Sequence, residues 1–254
     1  MSRTETILVW PDTQIPEQDS RAVSALIGFI GDASPSGIVD IGDWMNFDPP
    51  SRWSKGTAAE FDTSLTKDLK VAHGIQQRVR AVHDGWWKRH LGNHDLRVAD
   101  SVRRYAPWLC GYEGISYESM LKHDEYGIET LPLIYDIAPG WISTHGHKGT
   151  HMSLRPAGTA MSLVRKTGKS VVIGHTHRAG LEPWDRGYNG RTDRLWAMEV
   201  GNLMDMRKAS YLEIGSANWQ TAFGLLHVTG RHVRPEVIYI TNGRFTVDGQ
   251  EYGR

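Results

Sequence analysis

Three stretches of this chain share one pattern, in which apolar residues are followed by glycine and then by side chains that can bind a metal ion. They are Ile41-Gly42-Asp43, Leu91-Gly92-Asn93-His94-Asp95-Leu96 and Ile173-Gly174-His175-Thr176-His177. An apolar run that ends in glycine is typical of a buried strand that stops at a turn. Side chains just beyond the ends of parallel strands gather at one edge of a sheet. The pattern therefore predicts that the polar residues of the three stretches meet in space.

The order of the predicted elements favours an α/β fold. Residues 6–10 and 38–41 have the composition of strands, and the apolar residues between them are spaced as in a helix that opens at Asp19-Ser20. Strand, helix and strand in this order imply a parallel pair with a right-handed crossover. Further helices are predicted at 60–83, 98–105, 116–122 and 153–166, a hairpin at 133–144, and strands at 86–91 and 170–173.

The C-terminal part of the chain changes character. It contains β-like runs broken by Gly, Asn and Pro, at 195–200, 211–214, 222–229 and 233–240. Asn242-Gly243 is a tight-turn pair that predicts a further hairpin. We expect these runs to form a second, largely antiparallel sheet.

Composition limits the classes of function. The 254 residues can bury a sizeable core, and we expect one domain over 1–254 with an insertion or cap at about 107–140. Basic and acidic residues number 29 each, which argues against a strongly basic nucleic-acid coat but leaves room for a local basic groove. The single Cys110 excludes an internal disulfide framework and a cysteine-rich zinc module. We expect a cytoplasmic protein, because the sequence has neither a bilayer-length apolar run nor a signal-peptide core.

Six residues at predicted strand ends offer carboxylate, amide and imidazole donors: Asp12, Asp43, Asn93, His145, His175 and His177. This mixed nitrogen and oxygen set suits Mn, Fe, Zn, Ni or Co better than a structural zinc site or a calcium cage. Six ligands exceed the need of one tetrahedral ion, whereas two ions that share a carboxylate would use them all. Two ions about 3.5–4 Å apart are the arrangement used for in-line attack at phosphorus.

These motifs resemble those of the calcineurin-like metallophosphoesterase superfamily, whose pattern is D-x-H, GD-x-x-D, GNH-[D/E], HG and G-H-x-H in that order. The matching stretches lie between residues 12 and 177, a span of about two-thirds of the chain: Asp12-Thr13-Gln14, Gly42-Asp43-Trp44-Met45-Asn46, Gly92-Asn93-His94-Asp95, His145-Gly146 and Gly174-His175-Thr176-His177. The expected fold is a four-layer αββα sandwich of two mixed β-sheets flanked by helices, with the early motifs on the first sheet and the C-terminal hairpins on the second.

The resemblance also implies a role for each site residue. The implied ligands are Asp12, Asp43 and His177 for a first ion, and Asp43, Asn93, His145 and His175 for a second, with Asp43 bridging. A water or hydroxide between two divalent ions, with Mn²⁺ the expected metal, would attack phosphorus. His94 would stabilise charge or protonate the leaving oxygen, and Asp95 would orient His94.

Two positions depart from the family pattern. Gln14 replaces the histidine of the first motif, and Asn46 replaces the second aspartate of the second motif. We count Gln14 among the candidate metal ligands, but its carbonyl oxygen binds a metal more weakly than an imidazole, so the first site is expected to be weaker or exchangeable. Asn46 is expected beside the ligands rather than among them. Five other residues have weaker claims. His147 and His151 are candidate site residues with a solvated loop as the alternative, and Arg52, Arg97 and Lys148 are candidate contacts for a substrate phosphate.

The predicted function is that of a dimetal phosphodiesterase acting on a nucleotide or a short nucleic acid, with no membrane partner. The Asp-Arg-Gly continuation typical of protein phosphatases is absent after Asp43. The HGH and GHTH forms resemble small diesterases and nuclease-like relatives among the stand-alone phosphoesterases of bacteria and phages. The alternatives are a nuclease, a phosphomonoesterase or protein phosphatase, and a non-catalytic metal-binding scaffold. Gln14 favours the scaffold, whereas His94 counts against it.

Overall fold

The computed structural model describes residues 4–48, 50, 56, 64–209 and 217–253. The strands are β1 Glu5–Trp10, β2 Gly37–Asp40, β3 Trp86–Arg89, β4 Ile128–Thr130, β5 Tyr135–Ala138, β6 Trp141–Thr144, β7 Ser170–Ile173, β8 Ala179–Tyr188, β9 Arg191–Val200, β10 Ala222–Thr229, β11 His232–Tyr239, β12 Phe245–Val247 and β13 Gln250–Tyr252. The helices are α1 Ser20–Ala33, α2 Leu65–Arg80, α3 Arg97–Tyr105, α4 Tyr117–Met120, α5 His123–Tyr126 and α6 Gly158–Thr167. Within these described ranges, no helix combines the length and the apolar character that crossing a bilayer requires.

The strands form two mixed sheets and a separate β12–β13 hairpin. The first sheet has the order β11-β10-β1-β2-β3-β4, in which β1 to β4 are parallel, β10 is antiparallel to β1, and β11 is antiparallel to β10. The second has the order β5-β6-β7-β9-β8, in which β6, β7 and β9 are parallel and the outer strands are antiparallel. Each sheet therefore has a parallel centre whose strands end on the same side.

Alternate residues of each central strand pack into different layers. Leu8 and Trp10 of β1 lie in a core cluster with residues of α1 and α2, whereas Val9 lies in a second cluster with Val172 of β7. Val171, on the opposite face of β7, packs with α6 in a third cluster. The order of layers is therefore helix, sheet, sheet, helix, which confirms the predicted αββα sandwich. Each fully buried aliphatic side chain in these clusters contributes about 1.5–3 kcal/mol relative to exposure.

Helix α1 begins as the sequence predicts and makes the crossover from β1 to β2. Asp19 precedes it as N-cap, and its side chain accepts a hydrogen bond from the backbone N–H of Arg21. The helix ends where Ser34 adopts a left-handed conformation and donates its N–H to the carbonyl of Ile30. The crossover leaves β1 and β2 parallel, so Asp12 and Asp43 follow strands that end on the same side.

The assignment of the C-terminal strands needs correction. The runs at 222–229 and 233–240 are β10 and β11, and β10 pairs with the outer edge of β1 in the first sheet rather than in the second. Alternating apolar residues indicate a strand but do not select its partner, and β1 had one open edge. The run at 195–200 does lie in the second sheet, as the end of β9. The strand predicted at 211–214 and the first residues of the helix predicted from 60 lie outside the described residues.

Strand β8 was not predicted from the sequence. It is the outermost strand of the second sheet and pairs with β9 along its whole length, from Ala179 with Val200 to Tyr188 with Arg191. Pro183 interrupts its β-like pattern, and a proline that cannot donate to a ladder is tolerated on an outer strand. The proline that hides this strand in the sequence is therefore compatible with its position at the edge.

Candidate metal site

The site lies where the parallel strands of both sheets end. Its residues follow five strands: Asp12 follows β1, Asp43 follows β2, Asn93 follows β3, His145 follows β6, and His175 and His177 follow β7. The first sheet supplies carboxylates and an amide, and the second supplies imidazoles. The two sets meet, because His145 Nε2 is 3.3 Å from Asp43 Oδ2 and His177 Nε2 is 3.4 Å from Asp12 Oδ2.

One group of ligand atoms already converges as a metal requires. One ligand atom each of Asp43, His145 and His175 lies within 4.8 Å of the others. His145 Nδ1 is 2.9 Å from the carbonyl oxygen of Ile41, to which it can only donate. Its Nε2 is then directed toward Asp43 and toward Asn93 Oδ1, 3.2 Å away. A metal-binding histidine is commonly oriented in this way, with the other ring N–H on a carbonyl.

A second group surrounds Gln14. The Gln14 Nε2 atom donates to Asp43 Oδ2 at 3.2 Å and is 3.4 Å from His177 Nε2. Rotation of the amide by half a turn would present its oxygen to the same place, since the two ends have nearly the same shape. The buried Nδ1 of His177 has no hydrogen-bond partner in the part of the chain that the structure describes. The structure thus brings Gln14 between Asp43 and His177, the place where the resemblance implies a first ion.

The donor chemistry fits divalent cations. Buried carboxylate and imidazole groups are rarely left without partners, and here they face one another rather than solvent. The set contains no thiolate, which suits a Mn, Fe, Zn, Ni or Co ion better than a closed structural zinc site.

The backbone at the site is strained. Four residues have left-handed φ angles of 56°, 52°, 66° and 56°: Gln14, Asp43, His175 and His177. Such conformations cost about 1–3 kcal/mol each and tend to occur at functional sites. Glycine permits the close packing beside them, because a Cβ on Gly92 would lie 2.0 Å from Asp43 Oδ1, and one on Gly174 would lie 2.2 Å from Asp12 Oδ1. The glycine in the sequence pattern is therefore required by the approach of the backbone to a carboxylate.

The proton distribution follows from burial and pairing. Burial acts to raise the pKa of Asp43, but the neighbouring His145 and His94 hold that pKa below its ordinary value. Burial acts to lower the pKa of His145, and Asp43 outweighs it and raises that pKa to about 10. Burial and then His145 lower the pKa of His175 to about 4. At neutral pH the metal-free site therefore holds a carboxylate, an imidazolium and a neutral imidazole.

His94 stands beside the ligands with one ring nitrogen fixed. Its Nδ1 donates to Asn46 Oδ1 at 2.7 Å, and this amide orientation is consistent with Asn46 Nδ2 donating to Asp48 at 2.6 Å. Its Nε2 is 3.3 Å from Arg97 Nη2 and 3.9 Å from Asp43 Oδ2. Burial is the main cause that lowers the pKa of His94 below its ordinary value, so the ring is neutral at neutral pH.

The structure corrects the role expected of Asp95. Its carboxylate accepts hydrogen bonds from the backbone N–H groups of Asp43 at 2.7 Å, Gly92 at 2.9 Å and Met45 at 3.1 Å. Asn46, and not Asp95, orients the His94 ring. A fully buried carboxylate needs several donors, and the adjacent turn supplies them. Asp95 therefore positions the turn that carries Asp43.

Two contributors to the site were missed by the sequence reasoning. Asn202 Nδ2 donates to the carbonyl of His177 at 3.2 Å, and Trp219 packs edge-on against the His177 ring with centroids 4.4 Å apart. Val200-Gly201-Asn202 repeats the pattern of a strand followed by glycine and a polar residue, so the same signal could have found Asn202. No pattern marks Trp219.

The weaker candidates are distributed differently. The His147 ring lies 5.2 Å from that of His145, and both of its nitrogens are buried without a hydrogen-bond partner among the described residues. Lys148 and His151 are exposed. Arg97 contacts His94, as described above, and Arg52 lies outside the described residues.

Known proteins of similar sequence come from mycobacteriophages. The Gene 54 protein of Mycobacterium phage D29 is 46% identical over 249 residues, which cover 97% of this chain and 98% of the relative. The chain belongs to the family of these Gene 54 proteins. The Gene 54 protein of Mycobacterium phage L5 is 45% identical over 250 residues, with 97% and 98% coverage. No protein-family model matches the chain.

The fold is found again among solved structures at low sequence identity. Vps29 of Chaetomium thermophilum superposes with a TM-score of 0.51 and 12% identity, over 98% of each chain. This likeness concerns the fold alone. The chain thus combines an αββα sandwich, also found in Vps29, with a cluster of candidate metal ligands at the expected strand ends.

Proposed function

We propose that the chain is a metal-dependent phosphodiesterase that hydrolyses a nucleotide or a short nucleic acid. The observation that carries the proposal is the position of the Asp43 carboxylate between two groups of donors. Its Oδ2 lies 3.3 Å from His145 Nε2 on one side and 3.2 Å from Gln14 Nε2 on the other. A carboxylate shared in this way supports a pair of ions with Asp43 as the bridge.

Two sets of residues would hold the ions. Asp12, Gln14, Asp43 and His177 form the first set, and Asp43, Asn93, His145 and His175 form the second. Divalent ions, with Mn²⁺ our first choice, supply the positive charge that polarises a phosphoryl group and activates water for attack.

The neighbouring side chains would bind the phosphate and handle a proton. Arg97 presents a guanidinium beside His94, and such a group matches the oxygens of a phosphate. Because Asn46 holds the Nδ1–H of the neutral His94 ring, Nε2 is the acceptor nitrogen, and it would have to take up a proton before it could pass one to the leaving oxygen. The His94 side chain is 22% exposed, which is consistent with access from a bound substrate.

The preference for a diester rests on the sequence. Asp43 is followed by Trp44 and not by the Asp-Arg-Gly continuation typical of protein phosphatases. His145-Gly146-His147 and Gly174-His175-Thr176-His177 are the forms that resemble small diesterases. These features support a diester, and a monoester is the alternative that the experiment must separate.

The test is a side-by-side assay on metal-stripped protein. Bis(4-nitrophenyl) phosphate and 4-nitrophenyl phosphate are offered with and without added Mn²⁺. We expect Mn²⁺-dependent turnover of the diester, and loss of that turnover in Asp43→Asn. Asp185→Asn, at an exposed position on β8, is the matched control and should retain activity. Preference for the monoester would refute the diester assignment.

A second candidate function follows from Gln14. An amide in place of an imidazole weakens the first ion site, and a fold that keeps only one ion would serve as a metal-binding scaffold. The same assay separates the two functions. Stoichiometric metal binding with no turnover of either ester would favour the scaffold.

A further inference from the structure

An exposed segment rich in aromatic residues begins at the candidate site. It comprises residues 97–112, which we call the arm: helix α3, the short 3₁₀ helix Pro107–Leu109, and the residues up to Tyr112. Neither helix contains a buried residue. Tyr105, Trp108 and Tyr112 are 56%, 80% and 64% exposed. Single exposed apolar residues are common, but three large rings on one short segment mark a binding surface.

The arm carries positive charge although the whole chain is neutral. It has three arginines, Arg97, Arg103 and Arg104, against one acidic residue, Asp100, and Arg97 is also paired with Asp48 outside the arm at 3.3 Å. Arg103 pairs with Asp100 at 2.6 Å, but both side chains are largely exposed, so this pair costs little to exchange for another anion. Arg104 lies over the Tyr105 ring at 5.8 Å. The arm therefore interleaves cations with aromatic rings.

The arm is attached directly to the site. Arg97, the first residue of α3, donates from Nη1 to the carbonyl of Asn46 at 2.8 Å, and its Nη2 is 3.3 Å from His94 Nε2. At 1.5 Å per residue, α3 extends about 12 Å from Arg97 to Tyr105. A chain of a few nucleotides that starts at the metal ligands would reach the exposed rings.

We propose that the arm binds a single-stranded nucleic acid whose scissile phosphodiester lies at the metal site, with bases stacked on Trp108 and Tyr112 and phosphates paired with Arg103 and Arg104. The inference rests on the proposed function and deepens it, since it assigns the substrate class. Proteins hold single strands without sequence preference by combining aromatic faces with basic groups, as here. Unpaired bases offer their faces to such rings, whereas the bases of a duplex are stacked on one another.

Binding is tested by fluorescence anisotropy of a labelled twelve-residue oligothymidylate, with the full chain in EDTA so that the strand stays intact. We expect affinity that falls as salt rises, and affinity weaker by roughly tenfold or more in Trp108→Ala/Tyr112→Ala. Arg103→Gln/Arg104→Gln should reduce the slope of log affinity against log salt by about 1.4. Tyr188→Ala, 75% exposed on the β8–β9 hairpin, is the control and should bind normally. An oligouridylate of equal length separates RNA from DNA.

The failure of this inference can be distinguished from the failure of the proposed function. If the wild-type protein hydrolysed bis(4-nitrophenyl) phosphate but bound no oligonucleotide, nucleic-acid binding by the arm would be refuted. The proposed phosphodiesterase activity would still stand. Oligonucleotide binding that needs Trp108 and Tyr112, without hydrolysis of any ester, would support the arm and refute the enzyme. Absence of oligonucleotide binding together with self-association that Trp108→Ala abolishes would make the arm a protein interface. With Mn²⁺ present, we expect Trp108→Ala/Tyr112→Ala to slow hydrolysis of the oligonucleotide more than hydrolysis of bis(4-nitrophenyl) phosphate.

Discussion

The two nitrogens of the His94 imidazole have different neighbours. Asn46 accepts from Nδ1, while Nε2 lies 3.3 Å from Arg97 Nη2 and 3.9 Å from Asp43 Oδ2. We expect His94→Ala to lower kcat by about 10²–10⁴-fold and to leave metal binding intact, because the side chain is not a ligand in either set. Asn46→Ala should have a smaller effect, since it only frees the ring to turn. Turnover assays and metal titration of the same samples measure both, and unchanged kcat in His94→Ala would remove His94 from the mechanism.

In the proposed pair of ion sites, Gln14 would determine the strength of the first. Its amide occupies the place between Asp43 and His177 where the family pattern has an imidazole. Changes in groups that merely contact a ligand alter metal affinity by about 10–100-fold, so Gln14→His is expected to tighten the weaker ion by about tenfold or more. Gln14→Leu, of similar size but without a donor atom, is the matched control and should weaken it. Calorimetric titration with Mn²⁺ would show two steps, and an unaltered weak step in Gln14→His would count against this placement.

At the residue scale, the sequence predicted the candidate ligands from a local pattern, since most of them follow a strand end and have a glycine beside them. The glycine of this pattern has a spatial reason at Gly92, because a Cβ added there would lie only 2.0 Å from Asp43 Oδ1. The partners of the side chains were not predictable in the same way. Asp95 and Asn46 lie within four residues of ligands, yet the sequence cannot say which of the two reaches His94, since that depends on how two loops from different strands meet.

At the scale of elements, a buried ion pair joins the two strands that carry Asp43 and Asn93. Arg89 Nε of β3 donates to Asp40 Oδ2 of β2 at 2.6 Å, and both side chains are fully buried. The guanidinium also lies over Trp44, 4.1 Å from the ring centroid. Burial raises the pKa of Asp40 to about 6 in spite of Arg89, so the pair is complete at neutral pH.

Removal of one partner of this pair leaves a charge buried alone. We expect Arg89→Met to lower the free energy of unfolding by about 3–5 kcal/mol, and Asp40→Leu/Arg89→Met to recover part of that loss. Urea denaturation of the wild type, the single variant and the double variant measures the three free energies of unfolding. Arg194→Met, in an exposed pair with Asp185 on the β8–β9 hairpin, serves as the control and should leave the midpoint unchanged. If Arg89→Met were as stable as the wild type, the pair would not hold the two strands.

Elements themselves were easier to predict than their neighbours. The periodicity of α1 and the apolar runs of β1, β2 and β7 are local properties, so their existence followed from the sequence. The partner of β1 did not, because β10 joins it from more than 200 residues away, with Glu5 opposite Val228. The pairing depends on which strand edge of the first sheet is available to a distant segment. A local sequence pattern does not contain that information.

At the scale of the whole molecule, the candidate metal site lies where the two sheets meet. Carboxylates from the first sheet face imidazoles from the second, so a bound ion would add a link between layers that also meet through apolar contacts and through hydrogen bonds such as that between His90 and Ser143. An ion that binds only the folded chain stabilises it by about 2.7 kcal/mol at a hundred times its dissociation constant. For a chain of this length, that corresponds to an increase in Tm of roughly 5–10 °C.

The size of this stabilisation should depend on pH through His145. Because Asp43 raises its pKa to about 10, the metal-free folded protein holds a proton on His145 across neutral pH, and this stabilising charge is lost as pH rises toward 10. An ion at Nε2 must displace that proton, so binding tightens as pH rises. His175, with a pKa lowered to about 4, has no proton to lose above pH 6. At least one proton is therefore released when an ion binds at His145.

We expect the increase in Tm at fixed, saturating Mn²⁺ to grow by about 3–6 °C for each unit of pH between 6 and 8, because one displaced proton changes affinity tenfold, or about 1.4 kcal/mol, per unit. Differential scanning calorimetry with and without Mn²⁺ measures the increase, and titration in two buffers of different ionisation enthalpy counts the protons. His145→Asn keeps a donor atom but no titratable ring, so its smaller increase should be nearly independent of pH. An equal increase at pH 6 and pH 8 in the wild type would mean that His145 is already neutral before the ion arrives, and that the Asp43–His145 pair does not control metal binding.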